Sequence, residues 1–317
     1  MGSFQTAGLQ IIDLSLTRQE VSKNAYDIVL TNDGLKAYIA DGREGFKIID
    51  TSDPSSPKLL ASFNTDSYAL GVCLSNDETK AYVTDSDAGL KIIDISNPSS
   101  PSLLATFQAN GYAGKISLSK DGLKAYVGYG HDGLKIIDIS EPSSPSPLGV
   151  FNTDDYVGDI SLSEDGMTAY LADGNDGLKI VDISEPSSPH MLAGFDTDGY
   201  VKSVTLSNDG KMAYVSDGSE GLKIMDISES SYPKLLASFD TNGYIRDVKL
   251  SNDGRIAYLV DEWSGIRIVD ISNSGSPTLL ATFITRGRAH SISLSSDDTK
   301  VYIAQDGSNL EVINIDF

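Results

Sequence analysis

The phrase GLKIIDIS and its close variants begin at Gly8, Gly45, Gly89, Gly133, Gly177, Gly221, Gly265 and Asn309, and from Gly45 onward every step is 44 residues. A fixed period of that length means stacked supersecondary units, each burying surface against its neighbours. One unit, Tyr112 to Phe151, breaks into four short β-rich runs: ISLS, KAYVG, GLKIIDIS and PLGVF. SKDG, a Gly-rich hairpin and the proline-bearing EPSSPS separate them, all of them turn chemistry. Apolar residues occur on both faces of the third run (Leu134 and Ile136, Ile137 beside Lys135), as expected of a sheet covered on both sides. No stretch shows the spacing of three and four that a helical repeat requires.

Four antiparallel strands in about 40–50 residues make a propeller blade, so the expected fold is all-β. The tyrosines of the second strand, Tyr38, Tyr82, Tyr126, Tyr170, Tyr214, Tyr258 and Tyr302, count seven blades. Their expected bounds are 24–63, 68–107, 112–151, 156–195, 200–239, 244–283 and 288–317. The seventh has only three strands before Phe317, so a strand from residues 8–21 is expected to close the ring and remove an exposed edge. Its GLQIIDLS matches a third strand, a slot that LEVINIDF already fills, so it enters as an extra or a substituted strand.

The totals narrow the function classes. With 317 residues and 40% hydrophobic content the chain buries a sizeable core. Its formal charge of −21 repels phosphate backbones and anionic lipid surfaces, so no nucleic acid is expected as a partner. The single cysteine, Cys73, falls in an alternating apolar strand pattern and reads as a structural thiol. No apolar run approaches the ~20 residues of a membrane span, and Met1-Gly2-Ser3-Phe4 lacks the features of a secretion signal.

The repeats LKIID, LKIVD and IRIVD resemble the LVIVD repeat family over nearly the whole chain. The resemblance implies a β-propeller and suggests an extracellular, cell-surface or periplasmic setting. It implies no particular activity, and it transfers no catalytic residues.

The repeat also provides an internal control, because a departure at one register position cannot be demanded by the architecture. First strands line a propeller's channel, and their leading ends are where ligands are expected. Two adjacent positions vary there: Tyr26, Leu70, Gly114, Gly158, Lys202, Arg246 and His290, followed by Asp27, Gly71, Lys115, Asp159, Ser203, Asp247 and Ser291. Beside them, ITRGRAHS places Arg286 and Arg288 where other blades carry an acidic or amide residue and a tyrosine. Lys202, Arg246, Arg286, Arg288 and His290 are therefore expected to converge as an anion receptor, arginine offering bidentate geometry to a carboxylate or phosphate. The competing reading pairs them with Asp27, Asp159 and Asp247.

In the hairpin after the second strand, the usual aspartate (Asp41, Asp85, Asp173, Asp217, Asp261) becomes Tyr129 in blade three and Gln305 in blade seven. That aspartate is expected to pair across its hairpin with the basic residue of GLK, such as Lys91 or Lys179. Blade six alone carries Glu262 and Trp263, the latter suited to stacking on a sugar or to covering its own blade. Tyr68, Tyr112, Tyr156, Tyr200 and Tyr244 recur so regularly that packing is the favoured role.

His131, His190 and His290 are too few for a histidine-rich metal site, and the NTD and DTD loops lack calcium-loop spacing, so no metal or cofactor is expected. No hydrolase elbow, P-loop or dinucleotide fingerprint stands in a suitable context. The first reading is a monomeric propeller that binds an anionic small molecule or glycan over blades five to seven and one. Its candidate ligand residues are Tyr26, Asp27, Lys115, Tyr129, Asp159, Lys202, Arg246, Asp247, Trp263, Arg286, Arg288, His290 and Gln305. A metal-independent lyase or isomerase using Tyr26, Tyr129, His290, Arg246 and Lys202 is the second reading. A protein-interaction scaffold is the third.

Overall fold

A computed structural model describes residues 3–6, 9–14, 21–108, 111–307 and 310–316. The described residues form seven antiparallel sheets, six with four strands and one with five. Blade four is representative, with strands Val157–Leu162, Thr168–Asp173, Leu178–Asp182 and His190–Phe195 in sequence order across the sheet. First strands of adjacent blades lie side by side all the way round, including Ala289–Leu294 against Asp27–Leu30, so this is a seven-bladed propeller around a central channel.

Alternation within each strand explains the stacking. In blade five Ala213 and Val215 face blade four, joining Tyr170, Ala172, Leu178 and Ile180. Between them Tyr214 faces the other way and packs with Ile245, Val248 and Leu259 of blade six. Each blade therefore contributes one face to each of two interblade cores, and no sheet has a face left for solvent.

Local devices repeat with the blades. In the first hairpin a Ser or Thr hydroxyl bonds an aspartate two residues on, as Ser163 Oγ does with Asp165 Oδ1 at 2.6 Å, and Asp165 also accepts the Met167 amide at 3.0 Å. These hydrogen bonds hold the Asp165 carboxyl below its ordinary value. Between the third and fourth strands the register slips by one residue in all six of the first blades, at Leu60, Leu104, Leu148, Leu192, Leu236 and Leu280. Such bulges add twist and turn a leucine toward the interblade core, as with Leu192.

The first strands are also tied along the channel. Cys73 Sγ donates to the Ile116 carbonyl at 3.1 Å, Ser117 Oγ to Ile160 at 2.7 Å, Ser161 Oγ to Val204 at 2.7 Å and Thr205 Oγ1 to Val248 at 2.6 Å. Cys73 is half-buried, and burial together with the Asp27 charge pushes its thiol up to about 12, so it acts as a hydrogen-bond donor.

Ring closure uses the N-terminal segment twice. Leu9–Asp13 takes the fourth-strand slot of blade seven, pairing antiparallel with Glu311–Asp316 in the register Ile11 to Ile315, and Ser3–Thr6 adds a fifth strand outside it. Leu9 and Ile11 bury between blades six and seven beside Phe283 and Ile315. The third-strand-like sequence is thus a substituted strand: its alternation serves either slot, and Glu311–Asp316 already holds the third. Gly8, residues 15–20, Asn309 and Phe317 lie outside the described residues.

The glycine opening GLKIVD is fixed by backbone geometry. Gly177 has φ +78°, and a Cβ there would meet the Phe195 carbonyl oxygen, whereas Gly166 has φ +69° and open space around it. Gly177→Ala is expected to destabilise by about 3 kcal/mol and Gly166→Ala by about 1 kcal/mol, since only the first adds a steric clash to left-handed strain. Urea unfolding of the two variants against the parent protein checks the difference.

Candidate functional site

At the hairpin face the channel opens into a cavity of about 350 Å³ lined by Tyr26, Leu70, Tyr112, Gly114, Lys115, Tyr156, Gly158, Tyr200, Lys202, Arg246 and His290. The variable register position at the start of the first strand supplies all seven of its residues to this wall. On the blade two to four side Leu70, Gly114 and Gly158 leave room, and Tyr112 and Tyr156 form an aromatic wall with ring centroids 6.3 Å apart. Opposite stand Lys202, Arg246 and His290.

Arg246 and Arg288 share one acid. Arg246 Nε donates to Glu262 Oε2 at 2.7 Å, and Arg288 Nη2 pairs with Glu262 Oε1. Burial opposes ionisation of Glu262, yet the hydrogen bond from Arg246 and the two guanidinium charges hold its carboxyl below the ordinary value. Arg288 also lies over the ring of Trp263, 5.0 Å from its centroid, and Trp263 itself is 73% exposed outside the cavity.

His290 is packed into the wall. Its ring faces Tyr26 with centroids 4.9 Å apart, and Nε2 lies 2.9 Å from Asp306 Oδ2 without an aligned hydrogen bond. Nδ1 has no hydrogen-bond partner among the described residues. Burial lowers its pKa, Asp306 counteracts this, and Arg246 and Arg288 lower it further, so the imidazole is held below its ordinary value. Burial and then Asp306 raise the Tyr26 hydroxyl.

Lys202 differs from its neighbours. Its ammonium sits 4.1 Å from the centroid of the Tyr200 ring and makes no ion pair among the described residues. Burial, reinforced by Arg246, lowers its pKa. The reason for the difference lies in the register. Arg246 and His290 each find an acid 16 residues on, Glu262 and Asp306, at a hairpin position that is glycine in blades one, three, four and five and serine in blade two. For Lys202 that position is Gly218, so the register gives it no acid of its own.

The remaining candidates lie elsewhere. Asp27, Asp159 and Asp247 sit one layer deeper. Asp27 accepts from Lys115, from Ser291 Oγ at 3.0 Å and from the Val72 amide at 3.0 Å. Asp159 accepts the Val204 amide at 3.2 Å, and Asp247 accepts Ser291 Oγ at 2.9 Å and lies 3.4 Å from Lys249. These aspartates staple adjacent blades, and Asp27 pairs with Lys115 and Asp247 with Lys249, not with Lys202, Arg246 or the ITRGR arginines. A second chamber of about 440 Å³ opens below this layer, and Lys115 borders both spaces.

Tyr129 is fully buried in the blade two to three core, with Lys135 4.1 Å from its ring centroid, and does not line the cavity. The expected hairpin pairs form between Asp41 and Lys47 at 2.7 Å, Asp85 and Lys91 at 3.9 Å, Asp217 and Lys223 at 3.7 Å, and Asp261 and Arg267 at 2.7 Å. Lys179 instead lies 3.9 Å from Asp176.

Gln305 and Arg286 share an explanation. In blade two Lys91 bridges Asp85 and Asp66; the equivalent residues of blade seven are Glu311, Gln305 and Arg286, with the charges inverted. Gln305 Nε2 donates to Glu311 Oε2 at 3.1 Å, its Oε1 accepts the Gly287 amide at 3.0 Å, and Arg286 Nε lies 3.6 Å from Glu311 Oε1. Arg286 Nη2 also reaches Asp13 Oδ2 at 2.5 Å. Arg286 thus anchors the closing strand outside the cavity.

The family model of the LVIVD repeat matches residues 25–65, 78–108, 110–153, 155–197, 198–241 and 242–285. The chain belongs to the LVIVD repeat family. Its LVIVD repeats build the first six blades, and the inverted pair Arg286–Glu311 falls outside the matched ranges. No curated protein matches the chain. An LVIVD propeller with an open channel mouth is a binding or scaffold module, and no helix among the described residues is long and apolar enough to cross a membrane.

The inverted triad makes a checkable claim. Glu311→Lys is expected to cost about 3 kcal/mol or more, because a buried lysine then faces Arg286. Adding Gln305→Asp and Arg286→Asp restores the blade-two arrangement, and most of the lost stability is expected to return in denaturant unfolding.

Proposed function

We propose that this propeller binds a small organic acid with a flat or ring-shaped body, such as a sugar acid or the acidic end of a glycan, at the channel mouth. Lys202 carries the reading: it is a partly desolvated ammonium that makes no ion pair among the described residues, beside a cavity whose other wall is aromatic. Carboxylates gain most from a cation that burial has stripped of competing water. Sugar and aromatic rings stack on tyrosine faces such as Tyr112 and Tyr156, and the cavity volume lies at the small end of the ~300–1,000 Å³ found for ligand sites. Arg246 and Arg288 support the same charge through Glu262.

Binding is favoured over acid–base catalysis because both ring nitrogens of His290 are occluded from the cavity. A general base needs hydrogen-bond reach to the proton it removes.

Thermal-shift and calorimetric titration against hexuronates, aldonates and aromatic carboxylates tests the proposal, since a ligand of the native state raises its stability by mass action. Lys202→Ala is expected to weaken acid binding about ten- to a hundredfold, the loss of one charge-assisted hydrogen bond of ~1.5–3 kcal/mol. The outcome that defeats the reading is equal affinity in parent and Lys202→Ala, or no acid of the panel bound by either.

A further inference from the structure

Resting on the acid-binding reading above, we propose that capture of the acid is proton-coupled, with His290 taking up the proton when a carboxylate settles beside Lys202. Only 4% of the His290 side chain is exposed. Asp306 approaches from the second hairpin of its own blade, and Tyr26 covers the ring from blade one. Arg246 acts from blade six and Arg288 from the connection before blade seven, both tied to Glu262.

Two opposed influences meet on this imidazole. Asp306 favours the charged ring, and its Oδ1 is buried without a hydrogen-bond partner among the described residues. Burial and the two guanidinium groups disfavour it, and in the empty site they prevail. A carboxylate at the mouth adds negative charge on the cationic side of the wall and offsets the guanidinium repulsion. The ring then charges against Asp306, and a misaligned 2.9 Å contact becomes an ion pair.

The sign follows from linkage. The empty site holds His290 below its ordinary pKa and the occupied site raises it, so affinity increases as pH falls through the occupied-site value and levels off below the empty-site value. One proton limits the slope to about tenfold per pH unit. Asp306 acts through His290 and is a positioning residue.

NMR titration of the imidazole signals tests this with formate, the smallest carboxylate, as probe. His190, the first residue of the fourth strand of blade four and 66% exposed, is the reference within the same molecule. With formate at saturation the His290 midpoint is expected to rise by about half a pH unit or more while His190 stays in place. Formate affinity is expected to tighten as pH falls from 8 and to level off below the empty-site midpoint, about threefold in all for a half-unit shift, and Asp306→Asn to flatten that dependence while still binding formate at pH 8. Lys202-dependent formate binding with an unmoved His290 midpoint, or with an unchanged pH profile in Asp306→Asn, overturns the proton coupling alone. If formate shows no Lys202-dependent binding at any pH, the acid-binding reading falls and the coupling falls with it.

Discussion

The apolar character of both faces of every blade governs the rest of this molecule. Ala213 and Val215 point one way while Tyr214, Leu222 and Ile224 point the other, so a blade in isolation leaves one core uncovered whichever neighbour it finds. An open stack would still expose a face at each end, and only a ring removes both. Closure is therefore an energetic requirement, and it explains why Leu9–Asp13 is drafted into the last blade. Leu9 and Ile11 complete the seam between blades six and seven beside Ile313 and Ile315 of the C-terminal strand.

The fold was legible because its signal is repeated. A single KAYVG run is ambiguous, but seven variants at one interval, six of them followed by GLKIID or a close variant, leave a propeller as the economical solution. The closing slot was less legible, since Leu9–Asp13 reads as a third strand and becomes a fourth. Strand pairing asks for alternation and an available partner, and both slots meet that demand.

The mouth was legible in part, for a physical reason. The register identified the ring from Tyr26 to His290, because channel position is fixed by the scaffold. It did not distinguish side chains that face the cavity from those satisfied by a neighbour. Arg286 looked like a receptor residue until Glu311 appeared as its inverted counterpart. Tyr112, Tyr156 and Tyr200 looked like pure packing because they repeat, yet three of the five repeated tyrosines line the cavity, where the small Gly114 and Gly158 open space beside them. The missing signal was present in the chain: departures 16 residues apart, Arg246 with Glu262 and His290 with Asp306, come in complementary pairs.

That pairing shows how a site arises on a repeated scaffold. A cation introduced at a channel rim is costly to bury unless an acid arrives with it. The hairpin position opposite is usually a glycine or serine in the left-handed region, as Gly218 is at φ +54°, and Glu262 and Asp306 stand where the backbone leaves that conformation. Blades six and seven made both changes; blade five made one. Lys202 consequently rests on Tyr200, with Gly218 where its acid would stand. Compensated pairs rigidify the rim and set its field, and the uncompensated member is left to an outside anion. In a ring whose blades are otherwise near copies, the residue without a partner is the one that distinguishes a binding site from a decorated edge.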